Sequence, residues 1–278
     1  MKDPVALYDE LALGRRKLRT IFCASTAHTL KVNEKLGAAV GSAEAVYRLR
    51  AGWACQFREL SNGGRTIVDV YIPGDIIGLD TLLNTRPLQE VLTLCAVTIE
   101  EVPREDTLMQ LMADRPTALY VAWLLGQRQR RADRLLAAIS GLDARGRLAM
   151  MVLDLYTRLR RRRLTTGPIY HLPLTQVQMG NYLGLTVVHI NRIVRSLRDE
   201  QIVNLEKNCV TILDLERLTI LTGAKIPHRS GRSVMRDVIL FLGKLLERDL
   251  CPPDPGQCGS RLPKAVRQVF ERSQRGGR

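Results

Sequence analysis

The pattern of hydrophobic and polar positions changes twice along the chain, near residue 46 and near residue 103. Residues 1–45 show weak periodicity and are predicted to be helical or irregular. Residues 46–102 contain short apolar stretches that alternate with polar positions, which predicts β-strands. The breaks between them carry the turn sequences Ser61-Asn62-Gly63-Gly64 and Pro73-Gly74-Asp75. Several short strands at regular spacing indicate a small antiparallel barrel or sandwich.

Helical spacing replaces the strand pattern after Pro103. The segment is long for one globular helix, so we predict a short helix, a break near Arg115-Pro116 and a long helix. Its apolar stripe consists of Leu108, Leu111, Met112, Leu119, Ala122, Trp123 and Gly126. Two partners for this stripe stay open: a second copy of the helix across a dimer axis, and the barrel itself. A further helix is predicted over residues 147–163, with Leu148, Met151, Val152, Leu155 and Leu159 inward.

Residues 172–213 are the most informative stretch. Thr175 is predicted to cap a short helix in which Met179 and Leu183 form a buried pair. Gly184 suits the left-handed conformation that ends a helix, Leu185 fills the turn, and Thr186 caps a second helix. The predicted inward positions of the second helix are Ile190, Ile193, Val194 and Leu197, and the outer positions are Val187, Val188, Asn191, Arg192 and Arg195.

Two such helices, with a polar and basic outer face on the second, are typical of the helix–turn–helix that reads the major groove of DNA. Residues 201–213 predict a strand, a turn and a strand, which form a wing. An ordinary helical hairpin is the other interpretation. The spacing, the wing and the local positive charge together favour the helix–turn–helix.

The charge distribution agrees with a polyanionic partner. The 278 residues carry 42 Lys+Arg and 28 Asp+Glu, a net charge of +14. Residues 1–105 have 13 side chains of each sign, whereas residues 106–225 have 18 basic and 10 acidic ones, and residues 226–278 have 11 and 5. Nucleic acid, an acidic membrane surface and an acidic protein are the candidate partners. The asymmetry predicts that the second half of the chain contacts the polyanion.

Catalytic and metal chemistry find little support in the sequence. The six Cys and four His are dispersed without a CxxC pair or zinc spacing, so neither a metal nor a cofactor is predicted. Nucleophile-elbow and phosphate-loop motifs are absent, so we do not predict an enzyme. No apolar run approaches the ~20 residues that span a bilayer, and the N-terminus lacks a signal-peptide pattern. A cytoplasmic location without membrane contact is therefore predicted, and the redox state of Cys251 and Cys258 stays open.

The order of barrel, long helix, helix–turn–helix and wing resembles the Crp/Fnr family of bacterial transcription regulators. The resemblance rests on Gly52-Trp53-Ala54-Cys55, Asn62-Gly63-Gly64-Arg65, Pro73-Gly74-Asp75-Ile76-Ile77-Gly78-Leu79 and residues 172–213. It implies an α+β fold with an N-terminal antiparallel β-roll similar to cyclic-nucleotide-binding domains, a long dimerisation helix, a winged helix–turn–helix and an extra C-terminal helical extension. The implied domains are residues 1–105, 106–140, 141–224 and 225–278.

Two departures from the family pattern change what the resemblance implies. Nucleotide-binding members have a Glu after the last glycine of the β-roll turn and then an Arg-Ser pair, where this chain has Leu79 and Leu88-Gln89-Glu90. Cyclic AMP is therefore not expected as the effector, which stays unknown. In the recognition helix Val188 replaces a family Glu and Asn191 replaces a Ser, while Arg192 is retained. The operator sequence therefore stays unknown too.

The resulting hypothesis is a sequence-specific transcription regulator that binds double-stranded DNA as a homodimer, with RNA polymerase as a further partner. The predicted base contacts are Val187, Val188, Asn191 and Arg192. The predicted phosphate contacts are Thr175, Gln176, Thr186, His189 and Arg195. The alternative is an effector-binding or interaction adaptor whose basic C-terminal extension contacts an acidic partner. Whether promoters are activated or repressed stays open.

Overall fold

The computed structural model describes residues 4–37, 45–61, 63–82 and 90–223. The predicted C-terminal extension, including Cys251 and Cys258, lies outside the described residues, as do Asn62, Leu88 and Gln89. The strands are β1 (Ala27–Leu30), β2 (Ala45–Ala51), β3 (Ala54–Glu59), β4 (Arg65–Tyr71), β5 (Ile76–Ile77), β6 (Val91–Thr93), β7 (Val97–Pro103), β8 (Ile169–His171), β9 (Val203–Glu206) and β10 (Cys209–Ile212). The helices are α1 (Pro4–Cys23), α2 (Arg104–Ala113), α3 (Arg115–Gly141), α4 (Ala144–Arg161), α5 (Gln176–Leu183), α6 (Val187–Asp199) and α7 (Leu215–Leu221), with a 3₁₀ turn at Leu79–Thr81.

Strands β1 to β7 form a β-roll of two antiparallel sheets. One has the order β1-β7-β2-β5 and the other the order β4-β3-β6. Apolar residues from both sheets fill the space between them, among them Tyr47, Leu49 and Ile99 from the larger sheet and Ala54 and Tyr71 from the smaller. The predicted antiparallel barrel or sandwich is thus confirmed, and so is the α+β class.

Helices α1 and α3 cover the larger sheet. Leu18 and Phe22 of α1 and Val121 of α3 form a buried cluster with Val46 and Val102 of the sheet. The predicted break between α2 and α3 is confirmed because Asp114 adopts an extended conformation and accepts a hydrogen bond from the Thr117 N–H at 2.9 Å.

The predicted apolar stripe does not form the packed face of α3. Thr117 and Val121 are buried, whereas Ala122 and Gly126 are exposed, and Met112 on α2 is 78% exposed. Leu119 and Trp123 of the stripe are half-buried, so the stripe as a whole is not the face that packs on the β-roll, and a second copy of the helix stays the other predicted partner.

The C-terminal half packs directly on the smaller sheet. One continuous core contains Trp53, Ile67 and Val70 from the β-roll together with the predicted inward residues of α4. Those residues, Leu148, Met151, Val152, Leu155 and Leu159, are all buried as predicted. Helices α5 and α6 complete this core with Met179, Leu183, Ile190, Ile193 and Leu197.

Two short strands were missed by the sequence analysis. β1 lies inside the region predicted to be helical or irregular, and it pairs with β7. β8 precedes the helix–turn–helix and pairs with β10 of the wing. Each has four residues or fewer, so neither shows a periodicity that separates it from a loop.

Gly180 lies where α5 meets the turn that leads to α6, and this contact generates a stability prediction. A Cβ at Gly180 would lie 2.5 Å from the Leu185 carbonyl oxygen, which is backbone and has little freedom to move. We expect Gly180→Ala to lower the free energy of unfolding by ~1–3 kcal/mol, the usual cost of overpacking. Urea unfolding followed by circular dichroism measures it.

Gly141 provides the matched control for this substitution. It is the last residue of α3, and a Cβ there would meet no other atom within 4 Å. Gly141→Ala is therefore expected to leave the stability unchanged or to raise it by up to ~1 kcal/mol. A Gly180→Ala variant as stable as the wild type would contradict the close approach seen here.

Candidate nucleic-acid interface

Helix α5 and the turn after it adopt the predicted helix–turn–helix geometry. The Thr175 hydroxyl accepts from the Gln178 N–H at 3.2 Å, and the Thr175 N–H donates to the Gln178 side-chain oxygen at 2.8 Å, which forms a capping box. Gly184 ends the helix with a φ of 65°, a conformation that costs glycine little. The Leu185 N–H then donates to the Gly180 carbonyl at 3.0 Å, which fixes the turn.

Helix α6 begins at the predicted cap, where the Thr186 hydroxyl accepts from the His189 N–H at 3.3 Å. Its inner face is buried as predicted at Ile190, Ile193 and Leu197, and Val194 is half-buried. Because the inner face lies in the core shared with α4, the outer face of α6 points away from the protein. The helix therefore has one anchored face and one free face.

The outer face of α6 brings the predicted base-contacting residues together. Val188 is 76% exposed and Val187 is 36% exposed, while Asn191 and Arg192 lie one turn further along. No carboxylate among the described residues lies within ion-pair distance of Arg192 or Arg195, whereas Arg198 contacts Glu206 at 3.6 Å. The outer face thus presents two guanidinium groups that form no ion pair among the described residues, beside the exposed valines and on a surface that Asp199 also lines.

The predicted phosphate contacts surround this face. Thr175 and Gln176 lie at the start of α5, and Thr186 and His189 at the start of α6. The N-terminus of an α-helix attracts anions because its first N–H groups have no partner within the helix. The N-termini of α5 and α6 are therefore suited to bind phosphate oxygens. Each threonine hydroxyl also caps its helix, and these residues therefore shape the backbone that a phosphate would meet.

The wing is confirmed, with a third strand added. Strands β9 and β10 pair in an antiparallel register through a two-residue turn in which Lys207 and Asn208 have φ values of 50° and 62°. Both side chains are exposed at the tip of the wing. The site prediction did not include Lys207, although the predicted strand–turn–strand pattern already placed it at the turn.

Glu200 braces the end of α6, and the sequence analysis missed this role. Its carboxylate accepts from Arg145 of α4 at 2.7 Å and from the Ser196 hydroxyl at 2.9 Å, and its carbonyl accepts from Arg217 at 3.0 Å. The hydrogen bonds from Arg145 and Ser196 hold the pKa of Glu200 below its ordinary value. Nothing in a linear pattern connects positions 145, 200 and 217.

A second polar site lies between the β-roll and α3, around Arg128. The Arg128 guanidinium contacts Asp80 at 2.8 Å and Asp69 at 3.5 Å, and it donates to the Gln56 side-chain oxygen. Arg131, one turn later, contacts Asp69 at 3.1 Å. Burial opposes the charge on Arg131, but Asp69, Asp75 and Asp154 together raise the pKa of Arg131 above its usual range.

The described residues contain neither a candidate metal site nor a candidate membrane-spanning helix. Within residues 4–37, 45–61, 63–82 and 90–223, no three His, Cys, Asp or Glu side chains are grouped as metal ligands would be. Over the same ranges, no helix combines the length and the apolar character that crossing a bilayer requires.

Comparison with known proteins agrees with this geometry. Residues 146–221 match the model of a Crp-like helix–turn–helix domain. The transcriptional regulatory protein btr of Bordetella pertussis is 25% identical over 185 residues, which is 65% of this chain and 74% of that protein. The fumarate and nitrate reduction regulatory protein of Yersinia pestis is 26% identical over 186 residues, 66% of this chain and 74% of that protein.

A solved structure shares the fold as well. FixK2 from Bradyrhizobium japonicum superposes with a TM-score of 0.63 at 22% identity, over 73% of this chain and 99% of that one. The resemblance inferred from the β-roll turns and from residues 172–213 is therefore confirmed. Residues 146–221 are thus similar to a Crp-like helix–turn–helix domain, and the chain is similar in sequence to these transcription regulators and in fold to FixK2.

Proposed function

We propose that the chain is a sequence-specific DNA-binding transcription regulator that binds as a homodimer to an operator with two half-sites. The observation that carries the proposal is the outer face of α6, exposed and basic while its inner face is anchored in the core. The homologues are transcription regulators with a helix–turn–helix domain, so the adaptor alternative is not favoured. We place the protein in the cytoplasm, where DNA and RNA polymerase are available to it, and assign it no catalytic activity.

The proposed domain division follows the same logic. Residues 1–105 supply the β-roll, residues 106–140 the dimerisation helix, residues 141–224 the DNA-binding domain and residues 225–278 a basic extension.

The base readers are proposed from what each side chain can bond. Arg192 can donate two parallel hydrogen bonds to guanine, and Asn191 can bond bidentately to adenine. Val187 and Val188 can contact a thymine methyl group, which is the apolar group that the major groove offers. We assign Thr175, Gln176, Thr186, His189 and Arg195 to phosphates, which position the helix without reading sequence.

The homodimer is proposed through an exposed stripe on α3. Ala122, Leu125, Gln129, Ala132 and Leu136 are all exposed and recur at alternating spacings of three and four residues. We call these five residues the seam. Such spacing is that of a coiled-coil interface, and the single polar Gln129 suits a seam with a fixed register. A second copy of α3 presents the same stripe and is the natural occupant across a two-fold axis.

The polar site around Arg128 bears on the effector. Two guanidinium groups and the carboxylates of Asp69 and Asp80 already neutralise one another there. A cyclic phosphate would have to separate Arg128 from its carboxylates, and these would repel it. We therefore propose that cyclic AMP is not the effector.

Calorimetry provides the test of this proposal. Titration of cyclic AMP into the protein is expected to give no binding at micromolar concentration, and cyclic AMP should not strengthen DNA binding. Titration with a selected operator in the same buffer shows that the sample is active. Micromolar binding of cyclic AMP that raises DNA affinity would contradict the proposal.

Substitution on the seam tests the homodimer. Leu136→Glu places a charge on an exposed position, so it should leave the monomer folded but separate the dimer. Sedimentation at micromolar concentration is expected to give twice the 31.3 kDa chain mass for the wild type and 31.3 kDa for the variant. Met112→Glu, exposed on α2, is the control and should remain dimeric. A wild type that sediments as a monomer would be incompatible with the proposal.

Two arginine variants separate base reading from phosphate contact. Arg192→Ala is expected to relax the preference at one base pair per half-site, a discrimination worth ~1–3 kcal/mol. Arg195→Ala is expected to weaken all sequences about equally and to flatten the salt dependence by about one unit. Selection of bound sequences from a random pool, followed by affinity measurements at several salt concentrations, distinguishes the two. Uniform weakening by Arg192→Ala with unchanged base preference would remove it from the base readers.

A further inference from the structure

Asp75 joins the β-roll to the DNA-binding half through two arginines of one helix end. It lies in the turn before β5 and is buried. One carboxylate oxygen accepts from Arg158 at 2.7 Å and the other from Arg162 at 2.6 Å, at the end of α4. The Ile72 N–H adds a third hydrogen bond at 2.8 Å. Both carboxylate oxygens are therefore engaged, and we call these three side chains the Asp75 clamp.

The same two arginines also bind the backbone of the β-roll. Arg158 donates to the Val70 carbonyl at 2.9 Å, and Arg162 donates to the carbonyls of Ile72 and Pro73 at 3.2 and 2.5 Å. A guanidinium is a planar fork, so contacts to several acceptors fix its orientation as well as its position. Burial alone would raise the pKa of Asp75, but Arg162, Arg158, Arg131 and the Ile72 N–H together hold that pKa well below its ordinary value. The carboxylate is thus charged at neutral pH.

Helix α4 transmits this attachment to the recognition helix. Its last turn is fixed by the Asp75 clamp, whereas near its first turn Arg145 holds Glu200, the residue that follows α6. Along its length α4 shares a core with Ile190 and Ile193 of α6. The 18 residues of α4 span about 27 Å at the rise of an α-helix.

A small tilt of this helix would matter for DNA recognition. Tilting a rod of about 27 Å by roughly 10° moves its far end by about 5 Å. One base-pair step of B-DNA is about 3.4 Å, so the displacement exceeds one step. In a dimer, this displacement would change the distance between the two recognition helices.

We propose that Asp75 is a positioning residue for DNA recognition, which acts through Arg158 and Arg162 to set the half-site spacing that the dimer accepts. The proposal rests on the proposed function, because it needs a dimer that reads two half-sites. It assigns Asp75 no contact with DNA and no part in reading base identity.

The test compares the spacing preference of matched variants. The half-site selected by the wild type is placed in full operators with the preferred spacer, with spacers longer or shorter by one and two base pairs, and as a single half-site. Asp75→Asn removes the clamp charge. Arg162→Ala and Arg160→Ala each remove one positive charge from the same helix end, but only Arg162 contacts Asp75. The net charge of the protein is therefore the same in these two variants.

The wild type and Arg160→Ala are expected to disfavour a one-base-pair change of spacer by on the order of tenfold, because half-site spacing follows protein geometry. In Asp75→Asn and Arg162→Ala this preference should fall below about threefold, while single half-site affinity stays within about twofold. Asp75→Asn also removes one negative charge, which by itself would strengthen binding to every operator about equally. A loss of spacing preference therefore cannot come from the change in net charge.

Each other outcome is decisive. Wild-type spacing preference in Arg162→Ala would overturn the role of the Asp75 clamp and leave the proposed function intact. A wild type without any sequence preference would overturn the proposed function and this inference with it. If circular dichroism shows that Asp75→Asn does not fold, Arg162→Ala carries the test alone, because it leaves the contact of Asp75 with Arg158 in place.

Discussion

The packing of α4 on the smaller sheet of the β-roll is the constraint on which the rest of the structure depends. Trp53, Ile67 and Val70 of the β-roll enter the same core as Leu148 and Leu155 of α4. The DNA-binding half therefore completes its core on another domain. Apolar contact alone is not directional, and charged groups with defined geometry at the edge of this contact supply the direction.

Helix α3 contacts the β-roll with one face and carries the proposed dimer seam on another. One face carries Thr117 and Val121 into the β-roll and then Arg128 and Arg131 into a polar site. A neighbouring face, which begins one residue further around the helix at Gln129 and Ala132, carries the seam. Because both faces belong to one rigid helix, the contacts of Arg128 with Asp69 and Asp80 fix the rotation of the seam about the helix axis. If α3 were rotated about its axis by one residue, which is about 100°, Leu125 would no longer face the second copy of the helix.

The sequence predicted the helix–turn–helix nearly residue by residue, since its caps, its left-handed glycine and its buried spacing are local signals. Thr175, Gly184 and Thr186 act as predicted. The missed features are non-local. Nothing in the linear sequence singles out Arg128 and Arg131, because their shared partner Asp69 lies in a strand far away in the chain. β1 and β8 are too short to show a period, and their pairing depends on β7 and β10.

The two valines at the start of α6 have a thermodynamic consequence. Val187 and Val188 expose apolar surface to water in the free protein. A complex held only by phosphate contacts leaves that surface hydrated, whereas a complex that seats the valines on thymine methyl groups removes it from water. Burial of apolar surface lowers the heat capacity. Under the proposed thymine contacts of Val187 and Val188, specific and non-specific complexes with DNA are therefore expected to differ in the temperature dependence of their binding enthalpy as well as in affinity.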